Sequence, residues 1–151
     1  ELRPRDFQAA LDNGQSLEPY ITSLNRFRKA QPALQQLRQI RFHHVDNDQI
    51  IAYSKVDAIS GNAVLVVVNL DPWNAQEGTL YLDAPAVGLD YGAQFAVHDL
   101  VTDAYYDWGP ENYVRLAPEV NVAHILKLPD VAPHKREALA FRQISDHDYR
   151  P

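Results

Sequence analysis

Histidines and carboxylates are the side chains with most chemistry to offer in this sequence, and their spacing limits what they can do. His43, His44, Asp46 and Asp48 fall close together and are metal-ligand types. Neighbouring residues on a strand point to opposite faces, so at most one of the two histidines can join the aspartates. A closed zinc site asks for more imidazole or sulfur than that. A polar hairpin tip, with Asp and Asn shaping the turn, accounts for the same residues, and no metal or cofactor is expected. His98-Asp99 and His124 lie among Asp83, Asp90, Asp103 and Asp107, scattered over strand ends and loops. A glycosidase holds two carboxyls about 5 to 9 Å apart across a sugar, and no pair here has a claim on that role. Loop aspartates more commonly cap turns. There is no G-x-S-x-G to mark a nucleophilic serine, and no cysteine to act as nucleophile, ligand or disulfide partner.

Aromatic residues give a different hint. Trp73, Tyr81, Tyr91, Tyr105, Tyr106, Trp108 and Tyr113 gather in one region, several of them beside turns. Sugars present apolar C–H faces that stack on such rings, while Asn74, Gln76 and Asp107 sit where they can bond hydroxyls. Trp73 and Trp108 are the candidate stacking residues. Packing within and across strands is the competing explanation for the same rings.

These side chains need elements to hold them. Ser16 suits a helix N-cap, Pro19 fits the first turn, and Leu17, Tyr20, Ile21, Leu24 and Phe27 recur at helical spacing. The pattern predicts an amphipathic helix from about Leu17 to about Lys29, ended by Pro32, whose apolar stripe needs a docking surface. From Arg38 onward the period shifts toward two. IRFHHV and QIIAYSKV flank a hairpin turn at Asp46-Asn47-Asp48. AVLVVVNL reads as a central strand covered on both faces. TLYLD, QFAVHDL, AYYDW, YVRLA and VAHILKL complete a series of short strands separated by turn signals, which argues for an antiparallel sandwich or barrel. HKREALAFRQI fits one further short helix.

The 151 residues suffice for one ordinary domain. A hydrophobic share of 46% with 23% charged residues belongs to a folded globular chain. The net charge of −6 offers no basic surface for nucleic acid or acidic membrane. The longest apolar run is too short to cross a bilayer. With no cysteine, a cytoplasmic home is expected. The N-terminal residues lack an initiating Met and an apolar leader, so the chain is expected to start inside a longer protein or to have been processed.

Five strings carry a family likeness: LRPRDF; SLEPYITSLNRFRKAQPALQQLRQIRFHHVDNDQIIAYSK; VLVVVNLDPWNAQEGTLYLD; FAVHDLVTDAYYDWGPENYVRLAP; and AHILKL. Together, from about Leu2 to about Leu128, they resemble the end of the bacterial α-1,4-glucan:maltose-1-phosphate maltosyltransferases, of the α-amylase-type glycoside hydrolase superfamily. PALQQLR, FHHVDND and IAYSK are its more specific parts, whereas LNRFRKAQPAL recurs across α-amylase relatives. The resemblance implies that residues 1–37 end a (β/α)8 barrel, that residues 38–128 form the β-sandwich known as domain C, and that residues 129–151 are a tail. It implies a parent that transfers maltosyl units from α-maltose 1-phosphate to α-1,4-glucan by a retaining, two-carboxylate mechanism, with those carboxylates upstream of Glu1. This chain would then be a non-catalytic accessory domain whose partner is the barrel of its own polypeptide, within a cytoplasmic, homodimeric parent. A carbohydrate-binding module that holds α-glucan through exposed aromatics is the alternative.

Overall fold

The computed structural model describes residues 26–27, 30–35 and 40–139. Arg26 and Phe27 are helical, whereas Leu17, Tyr20, Ile21 and Leu24 of the expected apolar stripe lie outside the described residues. Eight strands follow: β1 (Arg41–Val45), β2 (Ile50–Val56), β3 (Ala63–Asn69), β4 (Gln76–Tyr81), β5 (Phe95–Asp99), β6 (Tyr105–Trp108), β7 (Glu111–Leu116) and β8 (Ala123–Lys127). Every pairing is antiparallel, in the order β6-β5-β8-β3-β2-β1-β4-β7. The fold is mainly β and sandwich-like, as the period-two pattern predicts.

The sequence of β3, AVLVVVN, explains its central place. β-Branched side chains suit a pleated surface, and with both faces apolar the strand must be covered twice. All seven of its residues are buried. Ala63, Leu65 and Val67 face an inner core shared with β2, β4, β5, β7 and β8, while Val64, Val66 and Val68 face a second, outer cluster. Removing a buried Leu side chain from such a core costs about 2–5 kcal/mol, so Leu65 is a point where the fold is vulnerable.

The sheet folds over at β1. Its first half, Arg41 to His43, pairs with β2, and its second half, His44 and Val45, pairs with β4. This change of partner carries β4 and β7 across the inner core. The two ends of the curled sheet then come to β6 and β7. These strands are separated only by Gly109 and Pro110, but β6 pairs with β5 and β7 with β4. A seam therefore runs between them. Asn112 holds the connecting turn, accepting from the Gly109 N–H at 2.9 Å and donating to the Gly109 carbonyl at 2.7 Å.

The outer cluster is roofed by a 3₁₀ turn, Pro32–Gln35, that buries Ala33 and Leu34. Asn62 ties this turn to the sandwich: its Oδ1 accepts the Ala33 N–H at 3.1 Å, and its Nδ2 donates to Gln31 Oε1 at 2.8 Å. Past β8, residues 133–139 are helical with Pro133 at the start, where a missing N–H does no harm. Val131 and Leu139 enter the inner core, and the Arg136 guanidinium donates to the carbonyls of Val131 and Ile59. Residues 140–151 lie outside the described residues.

Candidate functional site

The structure separates the two tryptophans. Trp73 is 78% exposed and Trp108 only 9%, with the Trp108 indole packed in the inner core. Trp73 sits on the β3–β4 connection, Asp71-Pro72-Trp73-Asn74, and one carboxylate organises that loop. Asp71 Oδ1 accepts the N–H groups of Trp73 at 2.9 Å and Asn74 at 3.1 Å. Its Oδ2 accepts the side-chain amides of Asn74 at 3.1 Å and Gln76 at 2.7 Å. Desolvation pushes the Asp71 carboxyl up, but these four bonds together outweigh it and hold the group below its ordinary value. Asn69 braces the loop from beneath, accepting the Asp71 N–H and donating to the carbonyls of Asn74 and Leu116. An exposed ring on a loop fixed in this way is pre-organised for stacking on an apolar ligand face.

The hairpin residues do not gather. His43 is buried, whereas His44 faces outward and stacks on Tyr81 with centroids 5.5 Å apart. Asp46 instead accepts the Thr79 N–H at 2.7 Å. Among the described residues no group of three or more histidines and carboxylates is placed to hold a metal ion. His43 does meet a serine: its Nε2 lies 2.8 Å from Ser54 Oγ. Its Nδ1 accepts the Asp83 N–H at 3.2 Å, so the proton of the neutral ring is on Nε2, which donates to Ser54. A general base would need that nitrogen bare. Burial, helped by nearby Arg41 and opposed by Asp83, lowers the His43 pKa to about 4 and keeps the ring neutral. The pair fastens β1 to β2.

A second histidine pair lies at the seam. Asp99 is fully buried, and its Oδ2 receives His124 Nδ1 at 2.9 Å. Its Oδ1 accepts the Val101 N–H at 2.9 Å and the Thr102 N–H at 3.3 Å. Burial pushes this carboxyl up, and the bonds from His124, Val101 and Thr102 bring it below its ordinary value. His124 Nε2 lies 3.3 Å from the carbonyl of Arg115 on β7, so the imidazole spans the seam from the β8 side. His124 and Leu126 line a cavity of about 240 Å³ together with Tyr106 and Trp108 of β6 and Tyr113, Val114 and Arg115 of β7. Tyr113 also donates to Glu77 Oε2 at 2.6 Å, and that bond raises its pKa.

Sequence reasoning missed the Asp99–His124 pair, although a signal was present. In FAVHD, Val97 and Asp99 share a face, and in AHILK so do His124 and Leu126. Val97 and Leu126 belong to the inner core, so alternation alone aims both polar groups inward. The remaining histidine, His98, bonds Asp103 at 2.6 Å and stacks on Tyr105 with centroids 4.2 Å apart. Asp83, Asp90 and Asp107 are exposed. Phe27, the one docking-stripe residue described, is half-buried against the outer cluster.

These features define a β-sandwich domain with two apolar layers, one inside the sandwich and one on its outer face. The chain belongs to the family described as GLGE, C-terminal, which matches residues 42–128, the span of the eight strands to within a residue at either end. It is 58% identical over 147 residues to the alpha-1,4-glucan:maltose-1-phosphate maltosyltransferase of Corynebacterium glutamicum, covering 97% of this chain and 22% of that protein. To the protein of the same name from Mycobacterium tuberculosis it is 50% identical over 143 residues, covering 95% of this chain and 20% of the relative. To that from Salinibacter ruber it is 40% identical over 130 residues, covering 85% and 19%. The chain thus spans about a fifth of the length of the curated relatives it matches. Among the described residues no helix is long and apolar enough to cross a membrane.

Proposed function

We propose that this chain is the non-catalytic accessory domain of an enzyme that transfers maltosyl units from α-maltose 1-phosphate to α-1,4-glucans, in the cytoplasmic synthesis of α-glucan. The observation that carries the reading is the 58% identity to a maltosyltransferase over 97% of this chain, confined to 22% of that relative's length. Retaining transfer needs a nucleophilic carboxylate and an acid–base carboxyl about 5 to 5.5 Å apart. Three of the carboxylates here have another use: Asp46, Asp71 and Asp99 each accept backbone N–H groups and shape loops. The domain's partner is the catalytic barrel of its own polypeptide, within a homodimeric parent. Its docking surface is the outer face, where Phe27 packs and where exposed Phe42 meets Tyr53 edge-on at 6.2 Å. Leu17, Tyr20, Ile21 and Leu24 belong to the same docking stripe in this reading. Given α-maltose 1-phosphate and maltoheptaose, the 151-residue chain should release no phosphate above a no-protein control. Release that survives repurification overturns the reading.

The exposure of Trp73 on its braced loop favours a second role, in which the domain also holds α-glucan by stacking. Maltoheptaose titrated while Trp73 emission is followed tests it, and an unchanged spectrum at millimolar sugar excludes it.

A further inference from the structure

We propose that the seam between β6 and β7 is a distinct site for one glucosyl ring of an α-glucan, with Tyr106 and Tyr113 as its rim and His124 as its polar anchor. The proposal rests on the glucan-handling reading above, but on none of the residues of the Trp73 loop. Two consecutive strands joined by a tight turn ordinarily pair as a hairpin. Here each pairs elsewhere, and the gap left between them is a cavity of about 240 Å³. Its chemistry is that of a small amphipathic ligand site, with an apolar lining and a few fixed polar groups. Trp108, Val114 and Leu126, all buried, give the apolar floor. Tyr106 and Tyr113, 44% and 64% exposed, stand at the opening from opposite strands, where ring faces can meet the C–H face of a pyranose.

The polar anchor calls for a hydroxyl. His124 is aimed by Asp99, a fully buried carboxylate that is itself fixed by two backbone N–H groups. A neutral ring giving its Nδ1 proton to Asp99 presents Nε2 as an acceptor, beside the Arg115 carbonyl, which is another acceptor, 3.3 Å away. Two acceptors side by side lack a proton. A sugar hydroxyl arriving from the cavity supplies it. No covalent step is involved.

The test uses the full chain with Trp73→Phe, which leaves Trp108, in the seam floor, as the sole indole. Maltoheptaose should change Trp108 emission and move backbone amide resonances of β6, β7 and His124. Tyr106→Ala, at a position 44% exposed, should weaken this binding about tenfold or more. His124→Gln should weaken it as well, with circular dichroism reporting that the sheet is intact. Amide shifts confined to residues 71–76 and lost in Trp73→Ala would place glucan on the loop and overturn the seam site. Unchanged affinity in a folded Tyr106→Ala protein, or no response at millimolar sugar, overturns it too. None of these results touches the accessory-domain reading, which is judged by maltosyl transfer.

Discussion

Asp99 and His124 meet 2.9 Å apart on the inward face of the sandwich, the carboxylate wholly buried and the imidazole reaching the Arg115 carbonyl on the opposite edge strand. The contact ties β5 and β8, which pair in the sheet, to β7, which pairs with neither. Asp99→Ala would leave His124, Val101 and Thr102 without their acceptor, at a cost on the order of 3 kcal/mol. Urea unfolding of the two proteins measures it. The folded-state pKa of Asp99 is lowered, so its stabilisation is complete above the unfolded carboxyl value of about 3.9 and is lost as pH falls through the folded one. The Ala variant should lack that part of the acid sensitivity.

His43 has the opposite charge logic and the same sign. Its folded pKa of about 4 lies below the ordinary histidine value of 6.5, so the unfolded chain binds the proton first as pH drops. Stability from the neutral ring is full above pH 6.5, declines from there to about pH 4, and amounts to about 3 kcal/mol. His43→Gln should flatten that stretch of the stability–pH curve relative to the wild-type chain, as thermal melts across the range will record.

Two glycines with nearly the same backbone angle should respond differently to alanine. Gly61 has φ +79°, and a Cβ there would lie 2.5 Å from the Val131 carbonyl oxygen and from the Arg136 side chain. Gly92 has φ +74° with nothing within 4 Å. Gly92→Ala should cost about 1 kcal/mol, the strain of a left-handed non-glycine residue, and Gly61→Ala clearly more, about 3 kcal/mol, because backbone must shift. Chemical denaturation of both variants checks the ranking.

How much of this was legible in the sequence depends on the range of the interaction. The hairpin at Asp46-Asn47-Asp48 and the doubly buried β3 follow from turn residues and from an unbroken apolar run, which are local signals. Residues 133–139 are helical and take in the first part of HKREALAFRQI, the rest of which lies outside the described residues. Trp73 and Trp108 could not be told apart, because each lies beside a turn and only tertiary packing buries one of them. The seam was invisible for a related reason. Gly109-Pro110 signals a turn between two short strands, but that β6 pairs with β5 and β7 with β4, and not with each other, is a long-range fact. Phe27 was placed on a docking stripe from helical spacing, whereas its contact with the sandwich's own outer cluster is a long-range fact.

Trp73→Ala should leave stability within about 0.5 kcal/mol, since the ring is mostly in water. If the loop holds glucan, the same change should remove the Trp73 part of the emission response and the amide shifts of residues 71–76 on adding maltoheptaose, leaving any response of Trp108 in place. Unfolding at a much lower denaturant concentration would mean that the indole braces the loop, contrary to its exposure.

Phosphate release from α-maltose 1-phosphate, with maltoheptaose as acceptor, bears most directly on the accessory-domain reading when measured on a chimera. In it, this chain replaces the matching 147-residue stretch of the Corynebacterium glutamicum maltosyltransferase, to which it is 58% identical. The account predicts that the chimera transfers maltosyl units at a rate within about tenfold of the unmodified relative, while the relative lacking that stretch, and this chain by itself, do not. A folded chimera with no activity, or phosphate released by this chain alone, would contradict it.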